Sequence, residues 1–438
     1  MSLGQKEFNA AMQLLAPFEA EPVIAVAVSG GIDSMALLHL SHAWTKTNSG
    51  RVVVMTVDHG LRIEAAGECK QVKVWAHALG IECHILQWQG DKPKTGIQNA
   101  ARRARYQLLA SCCRDLGILH VLMAHTLNDQ AETFIMRQDN ASGPDGLAAM
   151  SHIVSFRDCR ILRPLLGVDK NRLRFFLENI GQGWIEDPSN ADQRYQRVRV
   201  REKITDNEDA LQSFSDQCQK FRTMRFEHEN VTAVFASTAV SIMPLGVAKI
   251  DCNKLRDAEK TVAVRLLSQL IRCVGGLDYA PSMNAVEKLW QGYIGGANNK
   301  RTLGRCQIDR IKYSIVISRE NRNLPKFQPL NSTTNKRWDN RFLVSIVGAR
   351  QNAHVIDNKD FHIGPLKDCE SDEFIDELWR ELKNNMPLAH FKSLPVVRFG
   401  KMIISIAGYE NPQVIAPLIT HKSQCIFSPP VPFMEISR

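Results

Sequence analysis

Six consecutive residues near the amino terminus have the composition of a phosphate-binding loop. The apolar run 23–28 ends in Ser29-Gly30-Gly31-Ile32-Asp33-Ser34 and leads directly into a helical pattern. Backbone N–H groups at a helix start, together with the helix dipole, attract phosphate. The loop matches neither G-x-x-x-x-G-K-[ST] nor G-x-G-x-x-G. We predict phosphate binding of another class, with a capped strand-to-helix turn as the purely structural alternative.

Two more polar clusters follow predicted strands. Asp58-His59-Gly60 follows the run 52–57, and His125 follows the run 118–124. The carboxyl ends of parallel strands form the ligand-binding edge of an α/β sheet. We therefore expect both clusters to lie at the same edge as the loop, with a merely structural hydrogen-bonding role for His125 as the alternative.

A pair of carboxylates follows His125. Asp129 and Glu132 are three residues apart on a predicted helix and therefore share a face. Such a pair can hold a cation, either Mg²⁺ or a protonated amine. The alternative is an ordinary acidic first turn, which stabilises a helix without any chemistry.

Arginines are concentrated in two segments that suit contacts with nucleic-acid phosphates. One segment is predicted to be a helix and the other a turn-rich loop, and a solvated charged face is the alternative for each. The helix holds Arg102, Arg103 and Arg105, and the loop holds Arg194, Arg197, Arg199, Arg201 and Lys203.

These residues are carried by alternating strand and helix patterns, which predict an α/β fold with a doubly wound parallel sheet. The strand-like runs contain almost only apolar residues, as expected for a sheet that is covered on both faces. They are 23–28, 52–57, 81–86 and 118–124, and each precedes a longer helical pattern.

A chain of 438 residues should contain about three domains. We predict a catalytic domain with a basic appendage over 1–210, a mainly helical middle domain over 211–325 and a small α+β domain over 338–438. The alternation of 311, 313, 315 and 317 indicates a half-buried strand in the middle domain. The polar stretch 320–337 is the best linker candidate.

Composition narrows the class of protein. The formal net charge of +9 is compatible with an anionic partner. No apolar run approaches the roughly 20 residues of a membrane-spanning helix, and residues 1–22 resemble an amphipathic helix more than a signal peptide. The eleven cysteines include no C-x-x-C, which is typical of reduced thiols. We expect a soluble cytoplasmic protein without a membrane partner.

The motifs resemble those of a known family. S-G-G-x-D-S is similar to the PP-loop of the N-type ATP pyrophosphatases, which have an adenine nucleotide alpha hydrolase-like fold. Other segments resemble tRNA(Ile)-lysidine synthetase, with the later ones similar to its bacterial long form. The matching segments are 57–62, 100–106, 124–133 and 186–190 with Arg197 and Arg201, followed by 302–308, 318–325 and 364–368.

The resemblance implies a ligase that modifies tRNA. It would use ATP to adenylate the wobble cytidine (C34) of the tRNA(Ile) with a CAU anticodon and would then attach free L-lysine to C2. The tRNA would thereby change its codon and amino-acid specificity from Met to Ile. The resemblance also implies tight tRNA contacts by the middle and C-terminal domains. The implied cofactors are ATP and Mg²⁺. A homodimer is left open.

The resemblance also implies roles for individual residues. The ATP site would comprise Ser29, Gly30, Gly31, Ile32, Asp33, Ser34 and Asp58. The catalytic residues would be Asp33, His125, Asp129 and Glu132, with Asp33 as the Mg²⁺ ligand and with Asp129 and Glu132 binding lysine. The tRNA would be bound by Arg102, Arg105, Arg194, Arg197, Arg199 and Arg201.

Three positions depart from the family pattern. Asn128 and Asn140 stand where the family usually has Asp and Arg, and Val198 stands where it usually has Asn. Asn128 keeps a metal-capable oxygen without the charge, and no role is transferred to Asn140. The alternatives are another PP-loop tRNA-modifying enzyme such as a 2-thiolase, a small-molecule amidating synthetase and a non-catalytic RNA-binding relative. A thiolase usually needs reactive cysteines such as C-x-x-C.

Overall fold

The contacts of the chain define two units, Met1–Glu229 and Asn230–Met434. The computed structural model describes residues 2–90, 92–93, 95–140, 142–156, 158–186, 208–296, 300–330, 336–348, 361–383, 388–411, 421–429 and 433. Within these ranges no helix is both long enough and apolar enough to cross a membrane.

The first unit is built on a six-stranded sheet in the order β3-β2-β1-β4-β6-β5. All neighbouring strands are parallel except the edge pair β5 and β6. The predicted doubly wound parallel sheet is therefore confirmed. The strands are β1 (Val23–Ala27), β2 (Arg51–Asp58), β3 (Glu82–Gln87), β4 (His120–Leu122), β5 (Ile153–Ser155) and β6 (Arg160–Leu162).

Helices cover both faces of this sheet, as its continuous apolar strands require. In β1 alternate residues pack in opposite directions, with Ile24 against Met35 and its neighbours on one side and Ala25 against Leu109 on the other. The helices are α1 (Gln5–Gln13), α2 (Ile32–Thr47), α3 (Ala65–Ala78), α4 (Ile97–Leu116), α5 (Leu127–Asp139), α6 (Pro144–Leu147) and α7 (Lys170–Asn179). A long helix, α8 (Glu208–Ala239), contains the division between the units.

The second unit begins with a five-stranded antiparallel sheet in the order β7-β8-β11-β10-β9. The expectation of a helical middle domain omitted this sheet. Its strands are β7 (Val240–Met243), β8 (Val247–Asp251), β9 (Arg301–Leu303), β10 (Cys306–Ile311) and β11 (Ser314–Arg319). Three helices accompany them, namely α9 (Cys252–Asp257), α10 (Lys260–Gly275) and α11 (Met283–Ile294).

The single strand expected around residues 311–317 is a hairpin, so that prediction was wrong. Lys312 has φ +52° in the turn between β10 and β11, and Ile311 pairs with Ser314. Two-residue hairpin turns need positive φ. Both faces of β11 are buried, because Ile315 packs with α10 while Val316 packs with the later part of the unit. A strand that is buried on both faces carries apolar residues at consecutive positions, so it lacks the alternation of polar and apolar residues that identifies a half-buried strand.

The rest of the second unit holds two smaller antiparallel sheets and two helices, consistent with the expected α+β fold. Phe374, Leu378 and Leu382 lie on the buried face of the first helix, as their spacing predicts. One sheet contains β12 (Gln328–Pro329), β15 (Phe361–Pro365), β16 (Pro395–Phe399), β17 (Met402–Ile406) and β18 (Tyr409–Glu410). The other contains β13 (Lys336–Trp338), β14 (Phe342–Gly348) and β19 (His421–Phe427), and the helices are α12 (Glu373–Leu382) and α13 (Leu388–Phe391).

A buried carboxylate joins the parts of the second unit. Asp339 accepts hydrogen bonds from Arg305 (2.7 Å), Arg319 (3.0 Å) and Arg341 (2.8 Å). The side chains of Asp339, Arg319 and Arg341 are at most 1% exposed. Arg319 also donates to the carbonyls of residues 320, 322 and 323. The beginning of the expected linker is therefore built into the unit.

We expect Asp339→Ala to destabilise the second unit strongly. Removing one partner of a buried ion pair costs about 3–5 kcal/mol, because the remaining charges stay buried without compensation. Calorimetric unfolding should show the loss. Asp257→Ala is the matched control, since Asp257 pairs with Arg256 at the surface and exposed pairs contribute little. Equal unfolding temperatures for the two variants would contradict the structural role of the cluster.

Candidate active site at the carboxyl edge of the sheet

The predicted phosphate loop connects β1 to α2 and has a backbone conformation that requires glycine. Gly30 has φ +88°, and a Cβ atom there would lie 2.7 Å from Cδ1 of Ile185. The N–H of Ile185 donates to the carbonyl of Gly30 at 2.9 Å. Gly31 is the N-cap of α2, so the first N–H groups of the helix, which have no partners within it, begin at the loop.

The side chain of Ser34 stabilises this loop through two hydrogen bonds to its backbone. Its Oγ accepts a hydrogen bond from the N–H of Ser29 (3.2 Å) and donates to the carbonyl of Gly31 (2.9 Å). The Ser34 side chain is buried, and Ile32 belongs to the hydrophobic core. Ser34 therefore shapes the loop, and Ile32 can serve a ligand only through its backbone.

Asp33 faces a lysine that the sequence did not single out. Nζ of Lys170 lies 3.5 Å from Oδ2 of Asp33. Lys170 is the first residue of α7, and its N–H donates to Oδ1 of Asn128 at 3.0 Å. Asn128 thus ties the start of α7 to the start of α5, and a neutral amide is sufficient for that bond.

Asp129 and Glu132 lie on α5 as predicted but differ in their surroundings. Oδ2 of Asp129 accepts from the N–H (2.8 Å) and the Oγ1 (3.1 Å) of Thr126, which forms a capping box at the helix start. Asp129 is half-buried, whereas Glu132 is 1% exposed. Asp129 therefore stabilises the helix through Oδ2, and Oδ1 takes no part in the cap.

His125 follows β4 and receives a hydrogen bond from an arginine. Nε of Arg163 lies 3.2 Å from Nδ1 of His125. Burial lowers the pKa of His125 to about 3, with the positive charges of Arg163, Arg102 and Arg105 adding to the effect and Asp129 opposing it. His125 is therefore neutral at physiological pH.

Asp58 ends β2 and closes a tight turn, because its Oδ1 accepts from the N–H of Gly60 at 2.8 Å. The next residue, His59, accepts a hydrogen bond from Arg105 at 3.3 Å. Burial, followed by the charge of Arg105, lowers the pKa of His59 to about 4. The hydrogen bond from Arg105 to His59 thus links the turn after β2 to helix α4.

The two predicted arginines on α4 are directed towards the candidate site. Arg105 contacts His59, and the guanidinium of Arg102 lies over the ring of Tyr106 at 5.2 Å. Both charges act on His125. The other predicted tRNA-binding residues, Arg194, Arg197, Arg199 and Arg201, lie outside the described residues, but the chain leading to them passes the phosphate loop at Ile185.

The structure thus gathers the loop, His125 and the start of α5 where the strand order reverses between β1 and β4. Such a switch point is the usual ligand site of an open α/β sheet. Sequence reasoning missed Arg163, Lys170 and Ile185. No local signal around Arg163 or Lys170 connects them with residues much earlier in the chain.

Comparisons with known proteins give the family of this chain. Residues 5–208 match the PP-loop domain family. The chain is 33% identical to the tRNA(Ile)-lysidine synthase of Wolbachia pipientis wMel over 87% of this chain and 88% of that protein. It is 48% identical to the synthase of Rhodopseudomonas palustris over 44% of this chain and 56% of that protein. The structure of a U34-tRNA thiolase, NcsA from Methanococcus maripaludis with its [4Fe-4S] cluster, covers 49% of this chain and 78% of its own, with 13% identity and a TM-score of 0.42.

We expect Gly30→Ala to abolish tight binding of Mg-ATP. A residue with a Cβ at positive φ costs about 1–3 kcal/mol, and the new atom would collide with Ile185. Calorimetric titration should show a loss of affinity of at least about tenfold. Gly67→Ala in α3 is the control, because nothing lies within 4 Å of the added atom. Unchanged affinity in Gly30→Ala would exclude the loop as the nucleotide site.

Proposed function

Because this chain belongs to the tRNA(Ile)-lysidine synthase family, we propose that it attaches L-lysine to C2 of the wobble cytidine of a tRNA(Ile) with a CAU anticodon, at the expense of ATP. The juxtaposition of the phosphate loop with His125 and α5 at one switch point carries this assignment. The product pairs with A instead of G, so the tRNA changes from a methionine to an isoleucine identity.

The first step is adenylation of the cytidine. Oxygen O2 of the base attacks the α-phosphorus of ATP, the bond to the bridging oxygen breaks, and pyrophosphate leaves. N–H groups that are fixed before the reaction stabilise charge on a leaving group. The loop from Ser29 to Ser34 supplies such groups, and Ser34 keeps them in place. Asp58 belongs to this proposed ATP site, at the end of the adjacent strand.

Mg²⁺ is proposed as the metal that accompanies ATP, and Asp33 as its protein ligand. The described residues contain no group of three or more His, Cys, Asp or Glu side chains that could hold a metal ion by themselves. Mg²⁺ is commonly bound through one or two carboxylates, substrate phosphates and water. When bound, the metal neutralises charge on the phosphates. Lys170, 3.5 Å from Asp33, supplies a further positive charge at the same place.

In the second step lysine replaces the adenylated oxygen. Its ε-amine attacks C2 and loses a proton, while O2 departs with AMP. Asp129 and Glu132 are the proposed lysine-binding carboxylates, since an anion both attracts the ammonium group and accepts its proton. Asp129 presents Oδ1 for this purpose, because only Oδ2 takes part in the helix cap.

The tRNA is proposed to lie across the basic segments. The charges of Arg102 and Arg105 act on His125, and Arg194, Arg197, Arg199 and Arg201 follow the residues that pass the loop. Residues 1–210 would form the catalytic domain, and 211–325 and 338–438 would hold the tRNA. A homodimer is compatible with this assignment but not required by it.

Sulfur transfer is disfavoured by the state of the cysteines. A reactive cysteine needs a lowered pKa. Burial instead raises the pKa of Cys69, which lies beside Thr56 on β2, and it raises that of Cys83 to about 11. Cys113 also has a raised pKa, chiefly because of its hydrogen bond with Cys159. These thiols stay protonated at neutral pH.

The activity is tested by incubating the protein with a CAU-anticodon isoleucine tRNA, Mg-ATP and labelled lysine. We expect label in the tRNA and release of AMP and pyrophosphate. A tRNA transcript with U in place of the wobble cytidine is the matched control and should remain unlabelled. Absence of label, with AMP released in the presence of a different acceptor, would identify another PP-loop enzyme.

The two steps should separate in two variants. Asp33→Ala is expected to lose both adenylation and lysine transfer, because it acts on ATP. Glu132→Gln is expected to retain part of the adenylation and to lose lysine transfer by about 10²–10⁴-fold, as for removal of a general base. Transfer of labelled AMP and of labelled lysine to the tRNA measures the steps separately. Equal loss of both steps in folded Glu132→Gln protein would remove the role assigned to Glu132.

A further inference from the structure

The hydrogen bond between Arg163 and His125 determines where the imidazole carries its proton. A guanidinium group can only donate hydrogen bonds, so Nδ1 of His125, 3.2 Å from Nε of Arg163, must present its lone pair. A neutral imidazole has one N–H, which is then on Nε2. We propose that Arg163 holds His125 as a neutral imidazole with its proton on Nε2, so that His125 serves the reaction as a hydrogen-bond donor and not as a base.

The charges around His125 favour the neutral form. Arg163 approaches from the segment after β6, Arg102 and Arg105 from α4, and Asp129 from α5. Three cations therefore oppose protonation and one carboxylate favours it. Together with burial they keep the pKa of His125 at about 3, far below the pH at which the protein would work.

Arg163 is itself fixed by a second layer of hydrogen bonds. It is 4% exposed and donates from Nη1 to the carbonyl of Ser151 at 2.8 Å. The backbone N–H of Arg163 donates to the carbonyl of His152 at 2.8 Å. Arg225, on α8, donates to Oγ of Ser151 at 2.8 Å. The direction of the Arg163 side chain is thus set by the structure before any ligand binds.

The same logic gives the second histidine of this layer the opposite tautomer. Nδ1 of His152 lies 3.2 Å from the carbonyl of Arg163 and must donate to it. Its Nε2 accepts from Arg222 at 3.0 Å. His152 is therefore neutral with its proton on Nδ1, and burial lowers its pKa to about 4. Arginine donors fix both imidazoles in defined and different states.

The chemical consequence rests on the proposed function. In the described residues no protein acceptor pairs with Nε2 of His125, so its N–H is available for an oxygen of the substrates. A donor aimed at an oxygen that gains negative charge, on the phosphoryl group or on the cytidine, stabilises the transition state. A base at this position would need the lone pair on Nε2, which the hydrogen bond from Arg163 precludes.

A matched pair of variants distinguishes donor from base. The side-chain amide nitrogen of Gln reaches the position of Nε2, whereas that of Asn reaches only the position of Nδ1. We expect His125→Gln to keep adenylation within about tenfold of the unaltered protein and His125→Asn to lose about 10²–10³-fold, the usual cost of removing one such donor. Equal and large losses in both variants would overturn the donor role.

The tautomer is measured directly by nitrogen-15 NMR of histidine-labelled protein without substrates, with His125→Gln identifying the signal. We expect an unprotonated Nδ1 and a protonated Nε2 from pH 5 to 8. In Arg163→Met the donor and one repelling cation are lost, so the tautomers should mix and the pKa should rise. Part of the neutral imidazole would then lack the Nε2 proton, and protonation at lower pH would restore it, so the rate of adenylation relative to the unaltered protein should rise as the pH is lowered. Arg163→Lys keeps a donor and a charge and should preserve the unaltered pattern.

Two results would overturn the role of Arg163 as a positioning residue. One is a protonated Nδ1 in the unaltered protein. The other is an Arg163→Met protein that loses activity equally at every pH with the tautomer unchanged, which would indicate a structural role alone. Because the NMR experiment needs no substrate, it can fail while lysine transfer succeeds, or succeed while lysine transfer fails.

Discussion

Parallel pairing between β1 and β4 is the constraint on which the candidate site depends. Val26 pairs with Leu122, and three residues beyond each of them stand Ser29 and His125. The phosphate loop and the histidine therefore leave the sheet at the same level, on neighbouring strands. At such a switch point in the strand order, an open α/β sheet forms a crevice between the two connections. A change of this register would separate the loop from His125 and α5, whatever the conformation of the loop itself.

Features that arise from neighbouring residues could be predicted from the sequence, and features that arise from distant ones could not. The alternation of strands and helices, the loop at residues 29–34 and the buried face of α12 depend on spacing within short segments. The contact of Lys170 with Asp33 and the contact of Ile185 with Gly30 join residues that are far apart in the chain. They exist only because α7 and the segment after it return to the carboxyl edge of the sheet.

The positive charge of the chain also has a meaning that composition alone conceals. Several arginines are buried or half-buried and act on the protein itself. Arg163 and Arg222 orient histidines, and Arg319 and Arg341 surround a single carboxylate. Burying a guanidinium is costly unless its donors are paired, and these contacts pair several of the donors. The formal charge of +9 therefore overstates the surface charge that is available to tRNA, which increases the weight of the arginines on α4 and in the segment 194–201.

Helix α8 supports both polar elements of the candidate site within the first unit. Phe214 and Phe221 pack against Phe134, which lies on α5 two residues after Glu132. Directly after Phe221, Arg222 and Arg225 bind His152 and Ser151, the residues that hold Arg163 and through it His125. The carboxylates and the histidine thus share a support on one helix. Since aromatic packing and buried charged hydrogen bonds both depend closely on geometry, a small displacement of this part of α8 would change the positions of the α5 carboxylates and the hydrogen bonding of His125 together.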